Sequence, residues 1–466
     1  MSSLPPDRDA SEPDSSNGSQ PGAVRLRRSL TIRDLIVYGL LFIGPTAPMG
    51  TFGVLDAKSN GATALVFILA TIAMGFTAWS YARMSSAVPQ AGSVYAYADA
   101  GLGRTPGFLA GWMIGLDYLF IPSLAALFTG IAAHELIPAV PVWAIAVAGV
   151  VLITALNLTG VKPAAVIGLV MLAVEIVILA IFVVAAAVVL AHHGPSRGWW
   201  SPLTGYDGFH LTGVLSAVSI AVLAFLGFDA IATFAEENTG SARQVGRALA
   251  FCLILAGVLF TAQTYLADLL TQQSPAELRA DPSAQGTAFY TMLDEAIGGW
   301  FGQIVTAVRS IGPVFSALVA QAAVSRLMYG MARGGRLPAA LAKLDSRRHT
   351  PRNAILLSAI STLIVAVLAA TAANGLDVLS SMVTVGALTA FGFLHASVIG
   401  YWVVGRRTDR SVQHTLVPLI GGIIVLITLI LASRLALLIG AIWLLIGIIV
   451  AIMQQRRAIA GHRHDR

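Results

Sequence analysis

The chain has 466 residues, 56% of them hydrophobic and only 11% charged, with a mean hydropathy of +0.79. A water-soluble domain carries about a quarter charged residues, so a soluble globular protein is excluded. Its 29 Lys and Arg against 23 Asp and Glu leave a net charge of +6, and the one cysteine, Cys252, rules out an intrachain disulfide or a thiolate metal site.

In chain order, the first 24 residues are rich in Ser, Pro and Asp and hold no apolar core of a signal peptide. Residues 1–28 therefore read as a disordered cytoplasmic tail. A spanning helix takes roughly 20 apolar residues. Apolar runs of about that length fall near 35–56, 63–84, 106–133, 140–158, 163–190, 213–236, 248–271, 302–330, 353–373, 376–404, 415–432 and 435–455. The expected architecture is all-α and integral to the membrane: twelve spans in a single domain over 29–458, followed by a cytoplasmic tail at 459–466.

An even number of spans puts both termini on one side. If that side is the cytoplasm, 24 of the 29 Lys and Arg lie there, against four outside (Lys58, Arg197, Arg279, Arg434) and one, Arg309, within a span. This asymmetry follows the positive-inside rule and predicts a multi-pass plasma membrane protein with cytoplasmic termini. Basic loops facing anionic lipid account for the net charge, and no nucleic acid partner is called for.

The first span contains GLLFIGPTAPMGTFG at 39–53, with Pro45 and Pro48 inside it. Proline lacks an N–H and clashes with the preceding turn, while glycine tolerates backbone angles that other residues avoid. In hydrocarbon such an interruption survives only where it lines a cavity or is buried in protein. The sixth span places Gly227 and Asp229 in AFLGFDAIATFAEEN. Two interrupted helices five spans apart point to an inverted repeat of five plus five helices, about 35–190 and 213–404, with the extra helices at 415–455 and a substrate site between the breaks. Half-helix N-termini would offer N–H groups to an anion, and freed carbonyls would face a cation. A zwitterion or an amine suits that chemistry.

PQAGSVYAYADAGLG at 89–103, LGFDAIATFAEE in the sixth span and SRLMYGMARGGRLP at 325–338 resemble, in order, the signatures of the amino acid/polyamine/organocation superfamily of secondary transporters. Within it, Thr51–Gly53, Leu116–Phe120 and Ser325–Tyr329 are similar to the bacterial putrescine importer branch. The resemblance implies a permease working by alternating access. Two departures stand out: Gly334 replaces the Asp of the family's Arg-Asp-Gly, and Gly50 replaces an Asp that could hold a substrate ammonium, which argues against putrescine.

The candidate substrate-binding residues are Gly44, Pro45, Thr46, Pro48, Gly50, Asp117, Tyr118, Phe225, Gly227, Phe228 and Asp229. Intramembrane charge is costly and marks function. Asp229 is the first choice for proton coupling, because a carboxylate out of water favours its neutral form; capping the half-helix is its plainer role. Glu175 and Arg309 can pair or stand apart, and Arg309 either snorkels outward or serves as a fixed cation or carboxylate partner. Asp117 serves either the site or a neighbouring helix. His395 reads as a satisfied buried histidine, and Glu236 and Glu237 as helix-end residues paired with Arg243 or Arg247. No phosphate loop, metal-ligand spacing or nucleophile motif supports an enzyme or a cofactor. The expectation is a proton-coupled permease for amino acids or organic amines, with an exchanger as the alternative and a non-transporting membrane sensor as the weaker one; the sequence does not fix oligomeric state.

Overall fold

The structure, a computed structural model, describes residues 26–464 apart from Ser283, Ala373 and 406–410. The greater part of the expected N-terminal tail lies outside the described residues. Ahead of residue 29 the chain is already packed, because Leu26 is buried beside Ala91 and Tyr329.

Among the described residues, twelve helices are long and apolar enough to cross a membrane: Ile32–Gly50, Thr63–Ala87, Arg104–His134, Val142–Thr159, Ala164–His193, Leu211–Glu237, Ala242–Leu270, Gly299–Arg333, Arg352–Thr371, Val378–Val404, Gln413–Ile430 and Arg434–Arg456. They overlap the twelve expected spans one for one and are called the first to twelfth spans below. The last helix continues to His464, past residue 458 where a tail was expected.

Local chemistry sets the ends of the first span. Thr31 caps it reciprocally with Asp34, accepting the Asp34 N–H and donating its own N–H to Oδ2 at 2.8 Å. Just before it, Ser29 and Leu30 donate their N–H groups to the Glu237 carbonyl, both at 3.0 Å, tying the entry of the first span to the end of the sixth.

The second span packs along the seventh, and the third lies between the eighth and the tenth. These contacts bury one continuous core through the broken segments of the first and sixth spans. The eleventh and twelfth spans stand to one side, with Leu416, Ile423, Leu438 and Leu445 exposed. Apolar side chains turned outward are what a lipid-facing helix requires. Between the seventh and eighth spans, the short helices Pro275–Ala280 and Ala288–Ala296 form a satellite core over Phe52, whose ring meets Phe289 edge-on at 5.8 Å.

Candidate functional site

The first span stops at Ile43. Gly44 follows at φ 74°, a left-handed angle natural to glycine, then comes a tight turn at Ala47–Gly50 before helix resumes at Phe52–Ser59. A break strands carbonyls, and each buried one left unmet costs about 1–3 kcal/mol. Here neighbouring spans meet them. Gln263 Nε2 donates to the Pro45 carbonyl at 3.0 Å, Arg309 Nη1 to that of Thr46 at 3.1 Å, and Ser316 Oγ to that of Leu41 at 2.8 Å. The expected cation opposite a freed carbonyl is thus the protein's own Arg309. Gln263 and Ser316 were missed from the sequence; a lone Gln in an apolar run was a usable signal, whereas a serine in a helix carries almost none.

The sixth span is regular through Ala221, tightens at Val222–Phe225, and turns at Gly227, whose φ is 107°. Its second half, Phe228–Glu237, winds as a 3-10 helix. A Cβ on Gly227 would press on the Phe42 ring, at 2.6 Å from Cγ, so the two breaks touch. Asp229 is fully buried; it accepts the Gly227 N–H at 3.3 Å and the Tyr81 hydroxyl at 3.1 Å, and Tyr118 also donates to it. Asp229 thus reaches back to the residue that opens the half-helix and does not cap it, and two phenols complete its partners. Asp117, next to Tyr118, is equally buried, and neither of its carboxylate oxygens has a hydrogen-bond partner among the described residues.

Between the breaks lies a cavity of about 310 Å³, at the lower end for a small-molecule site. The first span lines it with Phe42, Gly44, Thr46 and Gly50, and the sixth with Ile220, Leu223, Ala224 and Leu226. Glu175, Arg309, Gly312 and Ser316 add polar atoms and space, while Ile121, Leu124 and Phe128 make the third span's wall. Of the expected residues, the cavity therefore gathers Gly44, Thr46, Gly50, Glu175 and Arg309. Pro45, Pro48, Asp117, Tyr118, Phe225, Gly227, Phe228 and Asp229 do not line it. Phe225 packs on Phe67 and Phe260, and Phe228 on Tyr81 and Phe391, so these rings belong to the core. Glu175 and Arg309 share the cavity without an ion pair.

Ionic clusters mark both ends of the bundle. At one, Arg197 joins Asp56 and Asp268, each at 2.8 Å. Burial opposes the Arg197 charge, but the two carboxylates outweigh it and raise its pKa above the ordinary value. At the other, Arg326 binds Glu237 at 2.7 Å and Arg333 binds Glu236 at 2.5 Å, while Glu236 also accepts the Ala91 N–H. Glu236 and Glu237 thus pair with Arg333 and Arg326 of the eighth span, and not with Arg243 or Arg247. Residues across the bundle, far off in sequence, outcompete those in the next loop. Gly334 has a local reason, since a Cβ there would collide with the Tyr95 hydroxyl. His395 is satisfied between Thr77 and Ser80, at 3.3 and 3.0 Å.

A bundle of twelve apolar helices, two of them broken around a common cavity, defines a membrane carrier. Residues 35–457 match the amino acid permease family, and the chain belongs to that family. It is 29% identical to the low-affinity putrescine importer PlaP of Escherichia coli (strain K12), covering 91% of this chain and 93% of that protein. It is also 27% identical to the branched-chain amino acid permease BcaP of Bacillus subtilis (strain 168), covering 91% and 93%. A methylthioribose transporter of the same organism is 28% identical, covering 94% and 96%. The protein is accordingly a secondary transporter of small molecules and not an enzyme.

Proposed function

We propose that the chain carries amino acids or related organic amines across the plasma membrane by alternating access, coupled to protons, with both termini cytoplasmic. The observation that carries this reading is the meeting of the two broken helices at one cavity. It supports a single transporter domain with inverted repeats over about 35–190 and 213–404, the substrate sitting between corresponding breaks. Apart from Glu175, near the middle of the fifth span, the cavity draws mainly on the later halves of the first and third spans and the earlier halves of the sixth, eighth and tenth. Alternating spans bring those halves to the same side, the outer one with cytoplasmic termini. The Arg326–Glu237 and Arg333–Glu236 pairs then close the cytoplasmic end.

Asp229 is the coupling group in this reading. It is buried at the hinge of the sixth span and held by Tyr81 and Tyr118, and Asp117, adjacent to Tyr118 in the third span, has no donor among the described residues. An ionisable side chain held within a span marks a candidate coupling group. Uptake of labelled amino acids and polyamines into proteoliposomes tests both statements. Accumulation should rise when the outside is made acidic, and Asp229→Asn should abolish the response to the gradient while exchange of internal for external substrate persists. If no solute accumulates or exchanges, the transport reading fails; if Asp229→Asn responds to the gradient as the parent does, coupling through Asp229 is wrong.

A further inference from the structure

A Cβ at residue 50 would lie 2.7 Å from Arg309 Nη2. The guanidinium lies on the cavity wall against residue 50, where a side chain would crowd it. There Nη1 donates to the Thr46 carbonyl at 3.1 Å, Nε has no hydrogen-bond partner, and among the described residues no carboxylate lies within 4.0 Å of the group. A cation withdrawn from water is costly until an anion pairs with it.

Glu175, on the fifth span, meets the eighth span one turn beyond Arg309. Its Oε1 would lie 2.8 Å from a Cβ on Gly312, three residues beyond Arg309, which is a rise of about 4.5 Å. Glu175 Oε2 has no hydrogen-bond partner among the described residues either. Thr46 joins the two, its carbonyl on Arg309 and its N–H close to the Glu175 carboxylate. Ile121, Leu124, Ile220 and Leu223 close around these charges with apolar surface.

We propose that Arg309, admitted by Gly50, is the specificity residue of this permease: it anchors the carboxylate of the transported molecule, Glu175 takes the ammonium, and diamines are excluded. The assignment rests on the transport reading above. A guanidinium offers a carboxylate two parallel N–H donors, whereas the second ammonium of a diamine would meet a fixed like charge where water does not screen it. The apolar walls select an aliphatic side chain.

The test measures competition against labelled leucine, and ligand-induced thermal shifts of the purified protein, using leucine, its decarboxylated analogue 3-methylbutylamine, and putrescine. In the parent protein leucine should outcompete the amine by a factor on the order of 10 to 100, the range for hydrogen bonds to a charged group, and putrescine should not compete. Arg309→Gln should bring the ratio near one and Arg309→Lys should keep part of it. Gly50→Ser leaves Arg309 in the chain but crowds Nη2, and should weaken leucine more than the amine; it answers independently if Arg309→Gln does not fold. Putrescine competing as well as leucine, or a ratio unchanged by Arg309→Gln or by Gly50→Ser, overturns the assignment while transport itself stands. Failure of every solute to bind or move overturns the transport reading instead.

Discussion

Glu237 and Arg326 have side chains only 2% exposed, and the guanidinium also lies 5.1 Å from the centre of the Phe234 ring. Removing one member of a buried pair strands the other charge, at a cost of about 3–5 kcal/mol. Arg326→Gln should therefore lower the thermal unfolding midpoint of the purified protein markedly, and Glu237→Gln made together with it should restore much of the loss; a midpoint unmoved by Arg326→Gln would show that the pair contributes nothing. Asp117 is the opposite case. Its carboxylate oxygens make no hydrogen bond among the described residues, so Asp117→Asn keeps shape and forfeits no contact. Its midpoint should stay at or above that of the parent, because a carboxylate without donors is a burden to the fold. A sharp fall would mean that Asp117 has a structural partner after all.

At the scale of the element, the interruption of the first span was legible because it is written in backbone chemistry: Pro45 and Pro48 cannot donate, and Gly44 takes φ 74°. The sixth span gave a weaker signal, Gly227 beside Asp229, and its 3-10 second half had none. Intramembrane charge was equally readable, since Glu175 and Arg309 stand alone in apolar runs, and both reach the cavity. What could not be read was direction. Asp229 adjoins the break in sequence yet turns toward Tyr81 and Tyr118, because a tight turn sends neighbouring residues to different sides. The two hinge glycines should differ on substitution. Gly227→Ala combines φ 107° with contact on the Phe42 ring, whereas a Cβ on Gly44 meets only Ser316 Oγ, at 3.9 Å. Uptake by Gly227→Ala should be lost and that by Gly44→Ala only reduced, the latter paying backbone strain alone; equal effects would deny the close approach of the two breaks its importance.

Across the whole molecule, the three sequence segments that carry the family resemblance converge at one end. Ala91 comes from the first, Glu236 and Glu237 from the second, and Arg326 and Arg333 from the third. There they meet in ion pairs across the bundle, which a linear reading does not show. Since the one native cysteine is buried, Glu236→Cys with Arg333→Cys gives a clean background for a short bifunctional thiol reagent. Crosslinking should stop uptake, and cleaving the linker should restore it; unimpaired uptake in the crosslinked protein would mean that this end does not open.

The joint in the first span is stitched by side chains from two helices, Gln263 of the seventh and Arg309 and Ser316 of the eighth. A hinge fastened in this way behaves as a latch with a release threshold. Three bonds at a net of about 1 kcal/mol each amount to a population ratio on the order of 100 between latched and released forms. Loosening one without touching the cavity's charges, as Ser316→Ala does, should change how often the carrier turns over more than what it carries.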